Sequence, residues 1–259
     1  MTLKILNHLV FAKPPINVHC WGGLGSQIFS CIVANRLHAQ YPRRRVVVSF
    51  HNSGVTSRSR EIPEALTAKF RVIDIFDFEK DIREQGHKNK RRKFLSIRIL
   101  TRFLLERSGF FSQLNSEGDF LNTKPWLTVV RGHYTGISLT KDEVSWLISS
   151  LGLKPLKQEA KTSFSSVAVH FRLGDLQSLS TKSYIPISRL SPIINLFSNY
   201  RDTVIFSDSS PDEVKTILSN SIMGDSVDFI NAPTLQVMEA CTFSHNFIGT
   251  NSKISLWIA

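Results

Sequence analysis

A histidine, an arginine and an aspartate fall within six residues at His170-Phe171-Arg172-Leu173-Gly174-Asp175, where the apolar run Ser166 to Phe171 (SVAVHF) gives out. Three titratable groups at the end of a buried strand are costly to hold unless they are used. An arginine in that place supplies a permanent charge and a planar fork. Both suit phosphate oxygens, on which negative charge builds as a leaving group departs. The plainer reading of the same residues is a salt bridge from Arg172 to Asp175 that pins the loop.

Three other segments end an apolar run with small or polar residues. Gly22 to Gln27 (GGLGSQ) offers backbone N–H groups unobstructed by side chains at a helix start, a geometry suited to an anion or a sugar hydroxyl. It lacks the full dinucleotide glycine pattern and has no phosphate-loop lysine, so taken alone it reads first as a structural turn. Ser207-Asp208-Ser209-Ser210 before Pro211 reads first as a helix start with polar caps. Gly249-Thr250-Asn251-Ser252 presents hydroxyls and N–H groups ahead of another helix, for phosphate or for capping alone. His133, in Arg131-Gly132-His133-Tyr134, is a candidate general base by its chemistry, or a surface loop histidine.

The elements that must position these residues alternate between strand and helix. Ile16 to Cys20 reads as a strand, Gln27 to Gln40 as a helix, and Arg45 to Phe50 (RVVVSF) as a second buried strand. Leu127 to Val130 is a further strand and Lys141 to Leu151 a helix. In the second half Ser166–Phe171, Thr203–Phe206, Val227–Ile230 and Asn246–Ile248 read as strands. Ser188–Asn199, Pro211–Ser219 and Thr234–Thr242 read as the helices between them. Such alternation predicts an α/β protein with parallel sheets, in which ligands meet the carboxyl ends of the strands. The connection from Gly152 to Ser166 suggests two domains, 1–155 and 156–259.

With 259 residues, 42% of them hydrophobic, the chain can bury two cores. A formal charge of +11 draws it toward nucleotide phosphates, polyanions or an anionic membrane face, without choosing among them. The basic stretch from Arg83 to Arg107, with KNKRRK at 88–93, carries Phe94, Ile97, Leu100, Leu104 and Leu105 at helical spacing. It reads as a solvated amphipathic helix, with a peripheral membrane contact through 88–107 as the alternative. Nucleic acid is the least favoured partner, since no aromatic platform or helix-turn-helix pattern accompanies the charge. Cys20, Cys31 and Cys241 are scattered without metal or disulfide spacing, and the apolar stretch Leu3 to Ala12 is too short to span a bilayer. A soluble, cytoplasmic protein is the expectation, with peripheral attachment to the inner membrane face left open.

Taken in order, the four segments resemble the family-eleven glycosyltransferases, the inverting α-1,2-fucosyltransferases, and more distantly the α-1,6- and protein O-fucosyltransferases. The family pattern runs GGLGNQ, then H-x-R-R-G-D, then Phe-Ser-Asp, then L-M-x-x-C-x-H-N-I-I-x-x-N-S-S-F-S-W-W. The corresponding stretches are GGLGSQIF from Gly22, HFRLGD from His170, IFSDSSPDE from Ile205 and VMEACTFSHNFIGTNSKISLWIA from Val237. Residues 52–124 match nothing in the pattern.

The resemblance implies a GT-B arrangement of two Rossmann-like domains facing a cleft, with the donor held mainly by the second. It implies transfer of fucose from GDP-fucose to a galactose-type hydroxyl with inversion, as in surface polysaccharide or O-antigen synthesis. No metal and no cofactor beyond the donor substrate is implied. By matched position Arg172 would contact the β-phosphate, His170 the base or ribose, and Asp175 would hold the loop, so that Arg172 and Asp175 form the catalytic pair. Ser207, Asp208, Thr250, Asn251 and Ser252 would line the nucleotide, and Gly23, Gly25 and Gln27 would lie near the sugar or the acceptor glycan. Departures are Leu173 for the second arginine, Ser26 for the asparagine of GGLGNQ, and Thr234 where an acidic partner for guanine is expected. Another nucleotide sugar, or a non-catalytic nucleotide- or glycan-binding module, therefore stands as the alternative. Because the chain stops at Ala259, earlier than the family pattern, the second domain is expected to be trimmed.

Overall fold

The computed structural model describes residues 14–51, 59–75, 104, 107–154, 167–173, 185–198, 203–218, 227–250 and 252–259. The basic stretch, apart from Leu104 and Arg107, and the site residues Asp175 and Asn251 lie outside the described residues. The chain divides into two compact units, Met1–Ser145 and Trp146–Ala259, so the division comes about ten residues before the expected boundary at 155/156.

In the first unit, β1 (Ile16–Trp21) leads into α1 (Leu24–Gln40) and β2 (Val46–His51), followed by β3 (Arg71–Ile75). β4 (Phe111–Gln113), α2 (Glu117–Leu121) and β5 (Val129–Arg131) complete it, and α3 (Lys141–Leu151) crosses the division. All five strands are parallel, in the order β3-β2-β1-β5-β4. Ile16, Val18 and Cys20 alternate inward from β1 and are fully buried. β2 is buried along almost its whole length, as a central strand covered on both faces must be.

The helix α1 begins three residues earlier than its apolar spacing suggests, directly on the glycine turn. Gly22 takes φ +87, a conformation that strains a side chain, and Gly23 caps the helix by accepting from the Ser26 and Gln27 N–H groups. The helix stops at Tyr41, which precedes Pro42 and is pushed out of the helical region by the proline ring. Its exposed end is tied down by Arg36. That side chain donates to Glu143 from Nε (2.6 Å) and Nη2 (2.7 Å), and to Glu117 from Nη1 (2.7 Å).

The second unit holds β6 (Val167–His170), α4 (Ile187–Ser198), β7 (Thr203–Ser207), α5 (Pro211–Leu218), β8 (Val227–Asn231), α6 (Thr234–Thr242), β9 (Asn246–Gly249) and α7 (Lys253–Ile258). Its four strands are parallel, in the order β8-β7-β6-β9. Successive residues of β6 feed opposite cores. Val167, Val169 and Phe171 pack with Leu190 and Ile194 of α4 and Val214 and Leu218 of α5, whereas Ala168 packs with Val237, Ala240 and Cys241 of α6. The sheet is therefore doubly wound, with helices on both faces.

Each unit is an α/β layer structure built on a parallel sheet, as the alternation of elements predicted. Cys20, Cys31 and Cys241 are buried and none is in a disulfide. Among the described residues no helix is long and apolar enough to cross a membrane.

Candidate functional site

In the second sheet the chain winds from β6 out to β7 and β8, then crosses back to place β9 on the other side of β6. The order reverses between β6 and β9, and at such a switch the loops leaving the two strands diverge and open a crevice. His170 ends β6 and Gly249 ends β9, directly paired in register. The sequence segments HFRLGD and GTNS thus meet at the switch.

Thr250 joins the two loops. Its hydroxyl donates to the His170 carbonyl (2.9 Å) and accepts from the Arg172 N–H (2.9 Å), while its own N–H also reaches the His170 carbonyl (3.1 Å). On the other side the Leu173 N–H donates to Asp208 Oδ1 (2.9 Å), in the loop after β7. The backbone carrying Arg172 is held from both neighbouring strands. The side chain keeps 29% of its surface exposed, with Nε 4.0 Å from Asp208 Oδ2. At that separation Asp208 orients the guanidinium without covering it, and it offsets part of the charge.

His170 is almost fully buried, and its Nδ1 lies 2.9 Å from the hydroxyl of Ser255 on α7. Burial, reinforced by Arg172 and opposed by Asp208, lowers its pKa to about 4. The ring is therefore neutral near pH 7, able to share a hydrogen bond but not to add positive charge. Gly249 allows this approach: a Cβ there would lie 2.7 Å from Ser255 Cβ and 2.9 Å from the Phe247 ring.

The hydroxyls expected at the nucleotide also bond within the chain. Ser207 is buried and accepts from the Ser209 N–H (3.2 Å); Ser252 is buried and caps α7 by accepting from the Ile254 N–H (3.2 Å). Leu173, where the family pattern has a second arginine, is buried in the core formed with α4 and α5. Of the described residues singled out at this edge, Arg172 and Asp208 present side chains to solvent.

Gly23, Gly25 and Gln27 lie in the first unit, at the carboxyl end of β1. Gln27 is fully buried; its amide donates to the Gly22 (2.9 Å) and Ser59 (3.0 Å) carbonyls and its oxygen accepts from the Glu61 N–H (2.8 Å). These bonds use both amide hydrogens, so the side chain fastens the glycine turn rather than offering itself to a ligand. Gly25 is buried in the first helical turn, and Gly23 has open space where a side chain would be. His133 is exposed and stands edge-on to the Trp21 ring.

Sequence reasoning missed Ser255, because nothing in the spacing of α7 distinguishes a residue facing β6. It also missed that Asp208 serves Arg172 and Leu173, which needs the knowledge that β7 adjoins β6. Among the described residues no group of three or more His, Cys, Asp or Glu side chains could hold a metal ion.

Fold and site together define a protein of two parallel α/β units whose second unit sets a partly exposed arginine at its switch point. No protein-family model matches the chain, and no curated protein matches it. A solved structure of the glycosyl transferase family 9 from Veillonella parvula DSM 2008 is similar at 12% sequence identity. The match covers 95% of this chain and 78% of that one, with a TM-score of 0.40.

Proposed function

We propose that this chain is a glycosyltransferase that holds a nucleotide-sugar donor at the β6/β9 switch of its second unit. The observation that carries the reading is Arg172, whose backbone is held from the loops after β9 and β7 and whose side chain is partly exposed at the carboxyl edge of the sheet, where open α/β sheets bind ligands. A cation carried on a backbone held in place stabilises the diphosphate as its bond to the sugar breaks.

The ordered resemblance to the α-1,2-fucosyltransferases supports GDP-fucose as donor and a galactose-type hydroxyl as acceptor. The hydroxyl oxygen attacks the anomeric carbon from the face opposite the leaving group. The bond from that carbon to the β-phosphate oxygen breaks, GDP departs with its electron pair, the attacking hydroxyl gives up its proton to water, and the configuration inverts. Thr234, which opens α6 in place of an acidic residue, favours a second reading in which the same chemistry uses a different base.

Incubation with a panel of GDP-, UDP-, ADP- and dTDP-sugars, scored by free nucleotide, tests this without an acceptor. Release from one member, strongest for GDP-fucose, is the expected result. Release from another member alone moves the donor to that base. No release even with a galactoside acceptor added, while nucleotide is still bound, makes the protein a binding module, and the absence of both release and binding ends the transferase reading.

A further inference from the structure

The first sheet has a switch point of its own. β1 leads outward to β2 and β3, whereas β5 and β4 lie on its other side, so the order reverses between β1 and β5. The residues leaving these strands are Gly22-Gly23 after Trp21, which ends β1, and Gly132-His133-Tyr134 after Arg131, which ends β5.

The Gly132–Tyr134 turn is locked more firmly than a connecting loop requires. A Cβ at Gly132 would lie 1.7 Å from the Leu114 carbonyl oxygen, so no side chain fits. The Leu114 N–H donates to the Arg131 carbonyl (2.8 Å) and the His133 N–H to Asn115 Oδ1 (3.0 Å). Tyr134 is buried with φ +58, a left-handed conformation that costs a bulky residue free energy, and its hydroxyl donates to the His19 carbonyl (3.0 Å). Strain of this kind persists where the surroundings over-determine it, and it concentrates at binding and catalytic sites.

That rigid turn carries outward-facing chemistry. The Arg131 guanidinium lies 5.6 Å from the centroid of the Trp21 ring, and His133 stands edge-on to the same indole at 6.2 Å. Arg131 is exposed and, among the described residues, pairs with no carboxylate. His19 and His51 stack beside Trp21 on β1 and β2, with Nδ1 of His19 2.9 Å from Nε2 of His51. Aromatic faces with hydrogen-bonding tips suit the C–H faces and hydroxyls of a pyranose, and a planar cation held by an indole suits a two-oxygen anion.

We propose that the β1/β5 switch of the first unit binds a sugar bearing a carboxylate or phosphate group, with its oxyanion on Arg131 and its ring against Trp21 and His133. Under the transferase reading, on which this role rests, that sugar is the acceptor, and the acceptor class is an anionic glycan rather than a neutral galactoside.

The test titrates the full chain with galacturonate, galactose 6-phosphate and methyl β-galactoside at low salt. The readout is the Trp21 indole N–H resonance, assigned with Trp21→Phe. At least one anionic sugar binds about tenfold or more tighter than the neutral one, as a charge-assisted bidentate contact predicts, and the stronger arm tells carboxylate from phosphate. Arg131→Ala and Arg131→Gln bring the ratio to about one, while Arg131→Lys keeps part of it. A ratio of one in the wild type, a ratio that survives Arg131→Ala, or no sugar binding at all overturns the proposal. GDP and UDP titrated in parallel separate the two readings. Anionic sugar bound without any nucleotide sinks the donor reading and leaves this site standing; nucleotide bound without anionic preference sinks this site alone.

Discussion

Replacing Thr250 with valine tests the frame around Arg172, because it keeps the side-chain shape and removes one oxygen. That oxygen accepts from the Arg172 N–H and donates to the His170 carbonyl, each at 2.9 Å, and Thr250 is only 6% exposed, so water cannot take its place. The two losses differ in size. The Arg172 N–H is left without its acceptor, at a cost of about 1–3 kcal/mol, whereas the His170 carbonyl keeps the Thr250 N–H and loses about 0.5 kcal/mol. A loss of about 1.5–3.5 kcal/mol follows, measurable against a native stability of about 5–15 kcal/mol without unfolding the protein. Thr250→Ser keeps both bonds and gives up one methyl, about 1 kcal/mol or less. Urea unfolding at an unchanged m-value reads the difference. A valine variant as stable as the serine variant, or within about 0.5 kcal/mol of wild type, would show that the hydroxyl does not hold the two loops together.

Two further predictions follow from the charged and titratable groups. Arg36→Ala strands Glu143 and Glu117 and costs about 2–3 kcal/mol at pH 7, read by chemical denaturation. Burial alone would raise the Glu143 carboxyl, but the bonds from Arg36 and Thr140 overcome it and hold the pKa below the usual value, so the stability it confers fades as pH falls through that lowered pKa. Burial is also the largest cause for His170 and His19, each lowered to about 4 from 6.5. Since the unfolded chain takes up these protons first, each costs up to about 3 kcal/mol of stability as pH drops from 6.5 toward 4. The ring C–H resonance of His170 therefore stays in its neutral position at pH 5.5, and a midpoint near 6.5 would contradict its burial.

The strands and helices that carry continuous apolar runs were legible from their residues, down to the glycine turn between β1 and α1. β3 and β4 were not. Arg71–Ile75 mixes charge with apolar residues, and Phe111–Gln113 has three residues, too few for a period to be read. The same contrast runs through the site. Arg172 stood out because an arginine follows a buried strand, but its partners depend on which strands lie side by side. Thr250, after β9, accepts from the Arg172 N–H across 78 residues of chain, and Asp208, after β7, accepts from the next N–H, that of Leu173, across 35. Arg131 and Trp21 meet only because β5 returns to pair with β1. Ser207 and Ser252 read as caps or as phosphate ligands alike because both roles use the same oxygen, and which N–H each one accepts from depends on the folded loop.

The central claim is that the Arg172 guanidinium receives a nucleoside diphosphate. Calorimetric titration of GDP and UDP into the wild-type chain and into Arg172→Ala, a change at a partly exposed side chain, measures this directly. The account predicts binding of at least one of them to wild type, weakened by about tenfold or more in the variant at low salt, as loss of a charge-assisted contact requires. Equal affinity in the two proteins, or no heat from either nucleotide in the wild type, would contradict it.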